Sequence, residues 1–193
     1  MGAGKDPSAT NHVSGLIQFR KKWDERNQRN GISPKNARSN QGHINLHGSA
    51  TCFCSAIFTP TDPEFIDSIE VGVRELVLFL IDKLNCITYS SCEGHPPVDE
   101  SPMRQRHVGI LPRDANEYAR LLHLLRRAAD NCHMNCDCQT TVRIEIKEAI
   151  ITTEGPKVPC IDIIFVAVTS NWSEYSRMLE SAYPEFLAQL QHR

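Results

Sequence analysis

The stretch Cys86-Ile87-Thr88-Tyr89-Ser90-Ser91-Cys92-Glu93-Gly94-His95-Pro96 reads as a short strand that runs straight into a tight turn. β-Branched and aromatic residues at Ile87, Thr88 and Tyr89 favour the extended chain. Gly94 supplies a residue able to take positive φ at the corner. The turn brings a thiol (Cys92), a carboxylate (Glu93) and an imidazole (His95) within four residues. Reactive groups commonly sit on such a loop at the end of a rigid strand.

The flanks of this stretch decide the fold. Before it, residues 64–84 carry apolar side chains at Phe65, Ile69, Leu76 and Leu80, and at Ile66, Val73, Val77, Ile81 and Leu84, a helical stripe wide enough to be mostly buried. Asp62 as N-cap and Pro63 at the first helical position would start that helix. Further upstream, Thr51 to Phe58 alternates, placing Cys52, Cys54, Ala56 and Phe58 on one face of a strand. After the turn, a polar loop from Pro96 to Gln105 leads to a strand at 106–111. Asp114 then caps a helix over 115–131 with Tyr118, Leu121, Leu122, Leu125 and Ala128 on one stripe. Residues 141–152 alternate apolar with charged, Glu154-Gly155-Pro156 turns the chain, and 160–168 forms the most apolar strand. Ser173 is expected to cap a last helix that restarts at Pro184.

This order, β-α-β-β-α-β followed by one strand and one helix, predicts an α+β fold. Its first six elements match a ferredoxin-like βαββαβ core, with an added strand and a C-terminal helix. In that arrangement Thr51–Phe58 would lie beside Arg106–Leu111, and the Cys86–Ser91 strand would be an outer one.

With 193 residues, 40% of them apolar and 23% charged, the chain has the material for one domain with a real core plus an extension. Residues 1–48 hold eight Lys/Arg against three Asp/Glu, a balance of +5, whereas the remainder carries −7. The sequence thus divides into a basic, polar, partly disordered arm over 1–48 and a single α+β domain over 49–193. In the arm, only Leu16, Ile17, Phe19 and Trp23 are suited to docking. No run of 18 or more apolar residues occurs, so no membrane-spanning helix is expected. The start lacks an apolar signal segment, and the expected location is the cytoplasm. There the eight cysteines would be core residues, metal ligands or reactive groups rather than a disulfide framework.

Candidate site residues follow from the turn. Cys92 is a nucleophile or a ligand, His95 a base or a ligand, and Glu93 an orienting group or proton shuttle. Ser90 and Ser91 border them, and His107 would face the same turn if the two strands pair as a hairpin. A second sulfur-rich cluster, Cys132, Cys136 and Cys138 with Cys52 and Cys54, offers ligands for a structural zinc-type metal. Its C-x-C and C-x₃-C-x-C spacings differ from paired zinc knuckles. Cys86 and Cys160 read as packing residues. No phosphate-binding glycine loop, H-E-x-x-H or G-x-S-x-G motif is present.

Thr88-Tyr89-Ser90-Ser91-Cys92-Glu93-Gly94 resembles the T-x-S-S-C-x-G signature of the wybutosine-synthesis tRNA methyltransferase family, over about ten residues, with His95 where that family continues with arginine. The same stretch is similar to small bacterial and phage proteins that carry Ser-Cys-Glu-Gly-His after a strand. The first resemblance implies S-adenosylmethionine as cofactor, a tRNA nucleoside as substrate, and Ser90, Ser91 and Cys92 as site residues. The expected function is a small enzyme with a Cys/Glu/His site acting by group transfer on a small molecule, nucleotide or RNA. A zinc-type metal-binding regulatory module without catalysis and an RNA- or partner-recruiting scaffold subunit are the competing classes.

Overall fold

Strands whose apolar residues alternate need a covering layer on one face, and helices supply it here. The computed structural model describes residues 10–12, 20–21, 23, 60, 65–100, 102–135, 142–152 and 157–192. The elements run β1 (Thr10–His12), α1 (Phe65–Ser68), α2 (Val71–Asp82), β2 (Thr88–Cys92), β3 (Arg106–Ile110), α3 (Ala115–Asn135), β4 (Val142–Thr152), β5 (Val158–Ala167) and α4 (Trp172–Gln191). The sheet order is β1-β4-β5-β3-β2. Its neighbours β4, β5, β3 and β2 pair antiparallel, and β1 joins β4 in parallel. The fold is mixed α+β.

One face of the sheet is the core. Ile161, Ile163 and Phe165 of β5 are fully buried, in register with Val108 and Ile110 of β3 and with Ile144 of β4. The rings of Tyr183 and Phe186 on α4 each lie 5.7 Å from Phe165. Leu121, Leu125 and Ala128 of α3 and Leu76, Val77 and Leu80 of α2 complete the same cluster. Asp114 Oδ1 accepts the Glu117 N–H at 2.8 Å and starts α3 as the sequence predicts.

Two tyrosines of α4 tie the layers together through polar groups inside this core. Tyr175 Oη donates to the Phe165 carbonyl at 2.6 Å and accepts the Arg106 N–H at 2.9 Å. One hydroxyl thus joins α4 to two strands. Tyr183 Oη accepts the Leu76 N–H of α2 at 2.9 Å, and the Arg106 guanidinium lies 4.7 Å from its ring centroid.

Several expectations change. The single helix predicted over 64–84 is two, because Glu70 takes an extended conformation (φ −62°, ψ 143°) between α1 and α2. The last helix is capped by Asn171, whose side chain accepts the Glu174 N–H at 3.2 Å, and not by Ser173. It runs unbroken through Pro184, held on both sides by the buried Tyr183, Phe186 and Leu187. Arg106–Leu111 was expected beside Thr51–Phe58, but both edges of β3 are bonded, to β2 and to β5. Thr51–Phe58 lies outside the described residues. Within the predicted arm, Thr10–His12 adds to the sheet, and Trp23 is fully buried, its ring 5.9 Å from Phe65 in an edge-on contact.

Replacing Tyr175 by Phe removes the hydroxyl from two buried partners and is expected to cost about 1–3 kcal/mol of stability, read as a lower urea midpoint at unchanged slope. A wild-type midpoint would show that the Tyr175 hydroxyl is not a tie between helix and sheet.

Candidate functional site

Cys92 closes β2 opposite His107 and is 3% exposed. Gly94 follows at φ 90°, where a Cβ would lie 3.2 Å from the Arg104 carbonyl, so glycine suits this corner in both conformation and space. Beyond it the backbones of His95 and Arg104 exchange two hydrogen bonds, 3.0 and 2.9 Å, which continue the β2–β3 pairing past the turn. The Arg106 Nε–H donates to the Glu93 carbonyl at 2.9 Å. The turn is therefore fixed from both sides, and the base of the 96–105 loop is pinned with it.

The extended Glu70 brings a second carboxylate into this turn. Its Oε2 accepts the Glu93 N–H at 2.7 Å, and its Oε1 lies 3.0 Å from His95 Nε2. Donor atoms of Glu70, Cys92 and His95 all fall within 4.8 Å of one another. Burial pushes the Glu70 carboxyl above its ordinary range, an effect opposed by the Glu93 N–H and then by His95. Burial also pushes the Cys92 thiol up to about 11, against the Gly94 N–H, which favours the thiolate. A nucleophilic Cys92 requires the thiolate, which a nearby cation favours, and the Arg104 charge acts on the sulfur in that direction.

Of the other predicted residues, Glu93 turns away from His95. Its Oε2 accepts the Gly72 N–H at 2.7 Å in the first turn of α2, where a carboxylate meets the positive end of the helix. The carboxylate at hydrogen-bond distance from His95 is that of Glu70. Ser91 stands opposite Val108. β2 and β3 do pair antiparallel, yet the His107 ring joins Ser90: Ser90 Oγ lies 3.1 Å from Nε2, and Nδ1 lies 3.4 Å from the Gln105 carbonyl. With Nδ1–H donated to that carbonyl, Nε2 accepts the Ser90 hydroxyl proton, a tautomer assigned from these contacts. Burial lowers the His107 pKa and keeps the ring neutral.

Beside this pair, Tyr89 Oη donates to Asp162 Oδ1 at 2.6 Å, with Cys160 Sγ 3.5 Å away. The Tyr89 ring lies so close over Gly109 that a Cβ there would fall 2.5 Å from it. Burial raises the Asp162 carboxyl, and it pushes the Cys160 thiol up to about 12. Cys132, expected as a structural metal ligand, is buried in the core. Its Sγ lies 3.9 Å from the Ala182 carbonyl, and burial pushes the thiol up to about 11. Cys52, Cys54, Cys136 and Cys138 lie outside the described residues.

Sequence reasoning missed Glu70 and Asp162. The signal for Glu70 was its place beside Ile69 and three residues before Val73, both buried, where a carboxylate must find partners; Ile66, read into the same stripe, is exposed. Asp162 is the one charged residue inside the apolar run Val158–Ala167. Compared with protein-family models, curated proteins and solved structures, the chain has no match.

Asp162 sets a pH dependence. A carboxyl whose folded pKa is raised favours the folded state below about pH 4, the ordinary aspartate range, and that contribution is lost as pH rises through the raised value. Asp162→Asn keeps an acceptor for Tyr89 without the charge. Urea unfolding at pH 4 and pH 7 should therefore show the variant gaining on wild type at pH 7. A difference between the two that stays constant with pH would mean that Asp162 titrates alike folded and unfolded.

Proposed function

We propose that this chain is a small cytoplasmic enzyme whose site is the turn ending β2, acting by group transfer on a nucleotide or on RNA. The observation that carries the reading is the meeting of Glu70, Cys92 and His95 within 4.8 Å, built from a strand end and a helix start. Glu70 holds His95 in a fixed orientation, and the two form an acid/base unit at hydrogen-bond distance. Cys92 contributes a donor S–H or a ligand sulfur to the same space. Ser90, two residues before Cys92 on β2, and His107, opposite Cys92 on β3, form a second acid/base pair. The T-x-S-S-C-x-G stretch supports a nucleic-acid substrate and S-adenosylmethionine as the group donor.

Two further observations support parts of this reading. Cys86, Cys92, Cys132 and Cys160 are free thiols, in keeping with a reducing compartment. The run β3–α3–β4 crosses over β5, since β3 and β4 both lie antiparallel to it. That split βαβ unit supports a ferredoxin-like sheet in which β5 takes the place of the first strand.

The test is to incubate the full chain with bulk tRNA and S-adenosylmethionine, digest to nucleosides and look for a methyl-sized mass gain. Wild type should produce it, and His95→Ala should lower the rate by about 10²–10⁴-fold, the usual contribution of an acid/base group. Wild-type protein that neither modifies nor retains tRNA or mononucleotides would remove the nucleic-acid reading. A bound ion without turnover would favour the regulatory module.

A further inference from the structure

The geometry points to Glu70, Cys92 and His95 as the three protein ligands of one borderline divalent cation of the zinc type, with a fourth position open to water or to an anionic oxygen. The inference rests on the turn being the functional site and goes beyond that reading by naming the ion and its ligands; with the ion bound, Glu70 and His95 act as ligands, and their acid/base contact belongs to the metal-free turn.

The donor set fits the ion. Carboxylate oxygen, thiolate sulfur and imidazole nitrogen are the ligands that zinc takes, and three of them with one position left open is the arrangement of its catalytic sites. With metal–ligand bonds of about 2.0–2.3 Å, donors on a tetrahedral ion stand about 3.3–3.8 Å apart. Glu70 Oε1 and His95 Nε2 are at 3.0 Å, and every donor pair is within 4.8 Å, so the pocket brackets that spacing.

The supports fit as well. Ligating carboxylates are themselves held by an outer hydrogen bond. Glu70 has one, since its Oε2 is fixed by the Glu93 N–H while Oε1 is aimed at His95. The Arg104 pairing and the Gly94 corner hold the backbone that carries His95. Charge balances too. A dication offsets the Glu70 carboxylate and the Cys92 thiolate, whose proton leaves to solvent on binding. Glu93 and Arg106 offset each other nearby. Arg104, whose charge acts on Cys92, leaves the occupied site net positive toward an incoming anion.

The test titrates chelator-treated full-length protein with Zn²⁺ by calorimetry and with Co²⁺ by absorbance. One ion per chain is expected, with a thiolate-to-cobalt charge-transfer band that Cys92→Ser abolishes. Glu70→Gln and His95→Ala should each weaken Zn²⁺ binding by more than the roughly 10–100-fold that loss of an outer partner costs. Cys136→Ala should leave both signals in place. Circular dichroism checks that each variant folds, and near-isosteric Glu70→Gln carries the conclusion if Cys92→Ser does not. Absence of binding, or binding unchanged in Glu70→Gln and His95→Ala, overturns the site. One ion bound with no tRNA modification leaves the site standing and removes the enzyme, whereas modification by metal-free protein does the reverse.

Discussion

The carboxylate of Glu70 ties the helical layer to the strand-end turn. Burying it costs free energy that the two hydrogen bonds to Glu93 N–H and His95 must offset. The backbone pays by leaving the helix at Glu70 and re-entering it at Val71. Glu93 returns the contact by accepting the Gly72 N–H. The two glutamates therefore cap each other's segments: each carboxylate receives an amide from the other's neighbourhood. Removing either leaves a buried amide without its partner in the element opposite.

Around this exchange the structure places a second set of polar ties. Arg106 donates its Nε–H to the Glu93 carbonyl and its own N–H to Tyr175, and it stacks on Tyr183. These contacts run from the turn through β3 into α4. Helix α4 is held in turn by Phe165 packing and by the Tyr183–Leu76 bond to α2. The path closes on itself, since Glu70 is the N-cap residue of α2. A substitution in α4 far from the turn should therefore reach the site through position rather than through contact.

Much of the fold was legible in the sequence because periodicity speaks locally. Alternation along 141–152 and the stripe over 115–131 gave β4 and α3 nearly whole. The neighbours of β3 were not legible, because alternation sets which face a residue takes and leaves open which strand lies beside it. The turn itself, with Cys92 and His95, stood out by composition. Glu70 did not, because it sits 22 residues before Cys92 in the sequence and inside an otherwise apolar stripe. A helical reading absorbs such a residue as one imperfection. Only the tertiary position of the turn shows that the break is where the carboxylate is needed. Glu93 misled for the opposite reason: adjacency to Cys92 and His95 suggested partnership, while its side chain points to the helix start.

The parallel pairing of β1 with β4 bears on how the molecule assembles. Thr10 stands opposite Ile150, 140 positions later, and closing so long a loop is entropically slow. The β2–β3 and β4–β5 hairpins need only local closure, so they can form while the first strand still waits. During synthesis from the N-terminus, Thr10–His12 emerges early and has no edge to join until most of the chain has followed. Loop-closure entropy alone therefore places its docking after the two hairpins.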